Sequence, residues 1–289
     1  MSFVILTFLS ASLGGCGSQT YELRLEETKK YFSYLNKVNA SLHAAESGLV
    51  RDYKITIRIP IQFNFIPPPV PTESEENEEP VPVPPEADER QRKFMNTILP
   101  GLLGAWEADL VVQYAEEDEE AEADEEEEDA GADTAKGYIY LLGNHLKWIA
   151  KEEDASVEPL SFAVEATDAI ASGFRMPPDR DEQPWDWAVK KKPSGEAGYV
   201  GKKVFDAFEF GANEGDPEIE IDGAYYNVEL YIHEVGDIQV LLMIVAPIDT
   251  ATSEKLGERV GLMLEQLEVE AVTPKSPATR ALDDTGSKF

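Results

Sequence analysis

The sequence predicts an α+β fold, a mostly antiparallel sheet with helices packed on its faces. Three observations carry that expectation. Ile55, Ile57, Ile59, Ile61, Phe63 and Phe65 alternate with Thr56, Arg58, Pro60, Gln62 and Asn64, the period-two pattern of a strand with one face buried. Tyr226, Val228, Leu230 and Ile232 alternate in the same way, Gly236-Asp237 supplies a turn, and the nearly unbroken apolar run 238–246 follows. Leu256, Val260, Met263 and Leu267 then recur at helical spacing.

Taken from the N-terminus, an amphipathic helix is expected from Tyr21 to just before Gly48, because Tyr31, Leu35, Val38, Leu42 and Ala45 are spaced four, three, four and three. It either docks on its own domain or offers Tyr31, Leu35 and Val38 to a partner. Two and a half heptads are short for a coiled coil. Pro60 places the strand at 55–65 on a sheet edge or bends it there. From Asp88, Phe94, Met95, Ile98 and Leu99 suggest a helix that stops at Pro100-Gly101. Trp106 to Ala115 is expected to be a strand, and Gly137 to Ile149 one or two more, broken at Gly143-Asn144 with His145 in the turn. A short helix from Pro159 to Ala171 would turn Leu160, Ala163, Val164, Thr167 and Ile170 inward. The stretch 176–201 is expected to be an irregular loop carrying Trp185 and Trp187, two aromatics that either dock on the domain or form a contact platform. Val204 to Phe210 is a strand, Pro247 ends the central apolar strand, and Glu268 to Val272 is a last strand candidate.

The charge is uneven. The chain carries 57 acidic and 25 basic residues, a net −32, yet eight acids and no base fall between Glu73 and Glu89, and twelve acids and no base between Glu116 and Asp129. Segments at about 67–87 and 115–136 are therefore expected to be disordered insertions in one domain spanning 50–272, with a disordered tail at 273–289. The acidic balance argues against nucleic acid and anionic lipid headgroups as partners. One Cys in 289 residues excludes an internal disulfide and a cysteine-based zinc cluster.

Catalytic signatures are absent: there is no Gly-x-Ser-x-Gly, His-Glu-x-x-His, Gly-x-x-x-x-Gly-Lys or Gly-x-Gly-x-x-Gly. No cofactor or metal is expected. His233 falls on the polar face of its strand, where a neighbouring carboxylate is the expected company. Asp216, Glu218, Glu220 and Asp222, spaced by two, would line one face of a strand. Carboxylates strung about 7 Å apart do not converge on one calcium ion, so a charged edge that blocks aggregation is the expected reading.

The sole cysteine closes the run Leu13-Gly14-Gly15-Cys16, preceded by apolar residues from Phe3 to Leu13. This stretch resembles a bacterial lipoprotein signal peptide with its lipobox, although no Lys or Arg precedes the apolar run. The resemblance implies that 1–15 is removed and that Cys16 carries a thioether-linked diacylglycerol, followed by the helix within 16–49. It further implies a cell-envelope location, and Gly17 in place of Asp after the cysteine favours the periplasmic leaflet of the outer membrane. The order of elements, above all the hairpin, Pro247 and the closing helix, resembles the PsbP/DcrB-type fold, which implies an accessory or assembly role. The functional expectation is a noncatalytic binding or assembly module, anchored to membrane by its lipid and meeting an envelope protein partner. The alternative is an envelope hydrolase whose carboxylates, with His233, meet beside Trp185 and Trp187.

Overall fold

The computed structural model describes residues 16–45, 53–70, 88–91, 97–113, 133–173, 186–191, 197–209 and 225–271. In chain order these form helix α1 (Cys16–Ser41), strands β1 (Ile55–Thr56), β2 (Asn64–Ile66), β3 (Leu102–Val111) and β4 (Thr134–Gly143), helices α2 (His145–Glu153) and α3 (Phe162–Gly173), strands β5 (Asp186–Lys191), β6 (Ala197–Glu209), β7 (Tyr225–Val235) and β8 (Ile238–Pro247), helix α4 (Leu256–Gln266) and strand β9 (Glu268–Val269). Seven strands make one antiparallel sheet in the order β2-β3-β4-β8-β7-β6-β5, and β1 pairs with β9 in a small second sheet. The α+β architecture read from the sequence is the one present.

Strand β8 sits at the middle, and its composition explains why. Val240, Leu242, Ile244 and Ala246 enter a core beneath α4 and the end of α1, while Leu241, Met243 and Val245 enter a second core beneath α3. A strand buried on both faces needs apolar side chains at successive positions, and 240–246 supplies them. Its neighbour β7 is mixed: Tyr226, Val228, Leu230 and Ile232 pack in the α3 core, while the other face carries half-buried Asn227 and Glu229 beside Tyr231, which is buried in the α4 core.

The strand expected at 55–65 is divided. Ile55, Ile57, Ile59 and Phe63 are buried, but the chain turns at Ile61-Gln62 and Ile61 is exposed, so β1 and β2 belong to different sheets. The bend falls at Pro60, which forms a lone bridge to Leu42. That corner also closes α1. His43 N–H donates to Ile59 O at 2.8 Å, and Arg58 donates through Nε to His43 O at 2.7 Å and through a terminal nitrogen to Asn39 Oδ1 at 3.0 Å. Helix α1 therefore ends at Ser41 rather than near Gly48.

Three further expectations are corrected. Residues 145–149 are helix α2, not strand, because Asn144 leaves the ladder at the end of β4 and the next residues bury only His145 fully. In α3 the inward face belongs to Phe162, Ala166, Thr167, Ile170 and Ala171, leaving Leu160 and Val164 exposed. The ring of Phe162 outweighs the smaller apolar residues in deciding which side docks. Residues 186–191 and 197–201 form strand rather than loop, extending the sheet beyond β7. The helix expected from Asp88 falls largely on 92–96, and the acidic tract 116–129, the carboxylates at 216–222 and the tail at 273–289 also lie outside the described residues.

Candidate functional site

A cleft of about 360 Å³ opens between the ends of β7 and β8 and the first turn of α4. Its floor is the outer face of the two strands, Asn227 and Glu229 from β7 beside Ile244 and Ala246 from β8. Pro247 stops β8, and Thr250 then folds the chain back, its backbone N–H at 3.3 Å and its hydroxyl at 2.6 Å both donating to Pro247 O. Ala251 N–H donates to Val111 O at 2.7 Å, which pins this turn across the end of β3. Lys255, at φ +48°, reverses the chain into α4, whose Leu256, Gly257 and Glu258 form the far wall.

The carboxylates of the cleft are already engaged. Tyr231, buried on β7, donates its hydroxyl to Glu229; burial and the adjoining carboxylate push the phenol pKa up, so it stays protonated and remains a donor. Glu258 pairs with Lys37 of α1, and that ammonium holds its carboxyl below the usual range. The wall thus joins α4 to α1. The volume falls within the range of small-ligand pockets. Its polar lining is Asn227, Glu229, Thr250, Thr252, Lys255 and Glu258, with no His, Cys or Ser among them.

The residues singled out from the sequence are scattered. Cys16 is the first residue of α1, and its side chain lies outside the described atoms. Tyr31 is exposed and Leu35 half-buried, but Val38 is completely buried in the core and offers nothing to a partner. Trp187 falls on β5 and Trp185 outside the described residues. His145 is wholly buried, its ring 5.2 Å from that of Tyr53, and burial drives its pKa down to about 4 against the opposing pull of the Tyr53 backbone. It is a neutral core histidine. His233 is half-buried on β7.

The polar residue that the sequence left unremarked is Asn144. It is fully buried, donates through Nδ2 to Asp237 O at 2.9 Å and to Pro159 O at 3.3 Å, and accepts at Oδ1 from Gln239 N–H at 3.1 Å. One side chain thereby ties the end of β4 to the β7–β8 turn and to the start of the α3 segment. Its only sequence signal is the Gly143-Asn144 pair. Among the described residues no cluster of three or more His, Cys, Asp or Glu is placed to hold a metal ion, and no helix is long and apolar enough to cross a membrane.

No family model matches this chain, and no curated protein matches it. Among solved structures it is distantly similar to a protein from Bacteroides thetaiotaomicron, with 11% identity and a TM-score of 0.28 over 78% of this chain and 48% of that one. It is also similar to the Ran-binding protein Mog1p of Saccharomyces cerevisiae, with 15% identity and a TM-score of 0.26 over 78% of this chain and 95% of that one. A point mutant of Mog1 aligns equivalently, at 14% identity and a TM-score of 0.26. The chain spans about half the length of the first of these. Likenesses at this level carry no argument about function.

Proposed function

We propose that this chain is a lipoprotein of the bacterial cell envelope, held to the membrane through Cys16, whose α+β domain binds or assembles with an envelope protein and does not turn over a substrate. The observation that carries the reading is the sole cysteine, placed after Leu13-Gly14-Gly15 and immediately at the start of α1. The resemblance to the PsbP/DcrB type belongs to the same reading and supports an accessory role. The cleft agrees with it, since both of its carboxylates are engaged, Glu229 by Tyr231 and Glu258 by Lys37. Gly17 favours the periplasmic face of the outer membrane as the site of anchorage.

Radiolabelled fatty acid tests the anchor. Label is expected in the wild type and not in Cys16→Ser; equal incorporation in both removes the proposal. Binding is tested separately by crosslinking envelopes of cells that carry the lipidated protein. Replacing Trp185 and Trp187 with Ala should weaken capture of the crosslinked partner, whereas saturable hydrolysis of an envelope substrate by the purified chain would restore the enzymatic alternative.

A further inference from the structure

Helix α1 has two apolar faces, and the domain uses one. Toward its C-terminal end Val38 and, just beyond the helix, Leu42 are buried, while Tyr34 donates its hydroxyl to Glu265 Oε2 at 3.0 Å and accepts from Gln266 Nε2 at 2.9 Å. Every described side chain from 20 to 33 is exposed. Within that exposed portion Tyr21, Leu25, Thr28 and Phe32 follow one another at spacings of four, three and four, a single stripe along the helix. Tyr21 is 67% exposed, Leu25 41% and Phe32 58%.

We infer that this stripe of α1 lies in the interfacial layer of the membrane to which Cys16 is anchored. The inference rests on the proposed lipidation and names what the exposed stripe of the helix touches. Three observations favour a bilayer surface. The first is position: at about 1.5 Å per residue, Tyr21, Leu25 and Phe32 fall within roughly 25 Å of Cys16 along the axis, so an anchor at the first residue brings the whole stripe to the surface if the helix lies flat. The second is charge placement. At about 100° per residue Arg24 borders one edge of the stripe and Lys29, with Glu22 just beyond it, the other, whereas Glu26, Glu27 and Lys30 lie on the far side. Basic side chains at the rim of an apolar face suit headgroup contact, with their stems buried and their charges in water.

The third observation is Thr28, the polar residue in the middle of the stripe. Its hydroxyl donates to Arg24 O at 2.7 Å, so its proton stays satisfied when water leaves that face. Tyr21 and Tyr31 present aromatic bodies with hydroxyl tips, the amphipathic shape found at membrane–water boundaries. A second copy of the chain is the competing occupant, but a stripe of four residues spans less than two heptads and is short for a coiled coil. A lipid anchor alters that balance for the bilayer alone, because a tethered helix needs only weak intrinsic affinity to stay on the surface.

The test uses the full lipidated chain in phosphatidylcholine vesicles, with a polarity-sensitive thiol dye attached to Leu25→Cys, Phe32→Cys or Glu26→Cys. Lipid on Cys16 blocks the only native thiol, so the wild type should take up no dye. Dye at 25 and 32 should shift to the blue and be quenched by spin-labelled lipid, while dye at 26 keeps its emission in water. A blocked Cys16 with all three positions water-like overturns this inference and leaves the anchor standing. Dye entering wild-type Cys16 overturns the anchor and the inference together. A blue shift at 25 and 32 that grows with protein concentration in the absence of vesicles assigns the stripe to self-association and also overturns it.

Discussion

His145 and Asn144 are adjacent, both fully buried, and opposite in consequence. His145 has a pKa lowered to about 4 by burial, against about 6.5 for an unperturbed histidine, so the unfolded chain takes up a proton that the folded one refuses. The stability that depends on its neutrality is complete above about pH 6.5 and is lost as the pH falls toward 4, by something on the order of 3 kcal/mol. Acidification also relieves repulsion among the many carboxylates, so the comparison must be with a variant. His145→Leu is expected to gain thermal stability relative to the wild type between pH 7 and pH 4.5, measured by circular dichroism. Two parallel melting-temperature curves would show that the imidazole is not the titrating group. Asn144→Ala leaves Asp237 O, Pro159 O and the Gln239 N–H without their side-chain partner, and is expected to cost about 2–4 kcal/mol in urea denaturation. At this scale the sequence is poorly legible. Gly143-Asn144 announced a turn, but only the meeting of β4, the β7–β8 turn and Pro159 makes Asn144 a hub, and no local pattern encodes that meeting.

Elements were legible where one physical signal dominated and illegible where two competed. The hairpin β7–β8 and helix α4 follow from alternation, a glycine turn and helical spacing, each pointing the same way. At 55–65 the alternation of burial ran only as far as Ile59 and then broke, leaving Ile61 and Phe65 exposed, because Pro60 and the fit of Arg58 under the end of α1 divided the strand. In 145–149 a short apolar pattern could serve helix or strand, and the length of the segment decided for helix only through residues further on. The hairpin β3–β4 yields a prediction of its own. Its ladder runs from Leu102↔Leu142 to Val111↔Thr134, and Val112 N–H donates to Asp133 O at 2.9 Å, so the two ends of the acidic connection are already held side by side. Replacing 117–128 with a short Gly-Ser bridge is expected to leave the melting temperature within a few degrees, since shortening a connection changes closure entropy by only about 1 kcal/mol. Collapse of the fold would mean that the acidic tract contributes structure of its own.

Across the whole molecule, two apolar cores meet on a single strand, and protection from solvent should follow that arrangement. Amide hydrogen exchange is expected to be slowest in β4 and β8, which lie side by side at the centre of the sheet with both faces covered, and faster in β2 at its edge. Uniform exchange across all seven strands would contradict it. The overall class was readable because only a strand buried on both sides tolerates a run such as Val240-Leu241-Leu242-Met243-Ile244, and such a run requires layers above and below. The candidate cleft was not readable, since Glu229, Thr250 and Glu258 are ordinary surface residues until the chain reversal at Lys255 sets them around one hollow. The position of β8 also has a consequence for biosynthesis. Strand β4 must wait for a partner encoded near the far end of the message, and Ile55 waits longer still for Val269. While the ribosome is still working, β2, β3 and β4 can pair among themselves, but without β8 neither core can close and their apolar faces stay uncovered. A transcript cut short before Ile238 would therefore yield not a smaller domain but an aggregation-prone fragment.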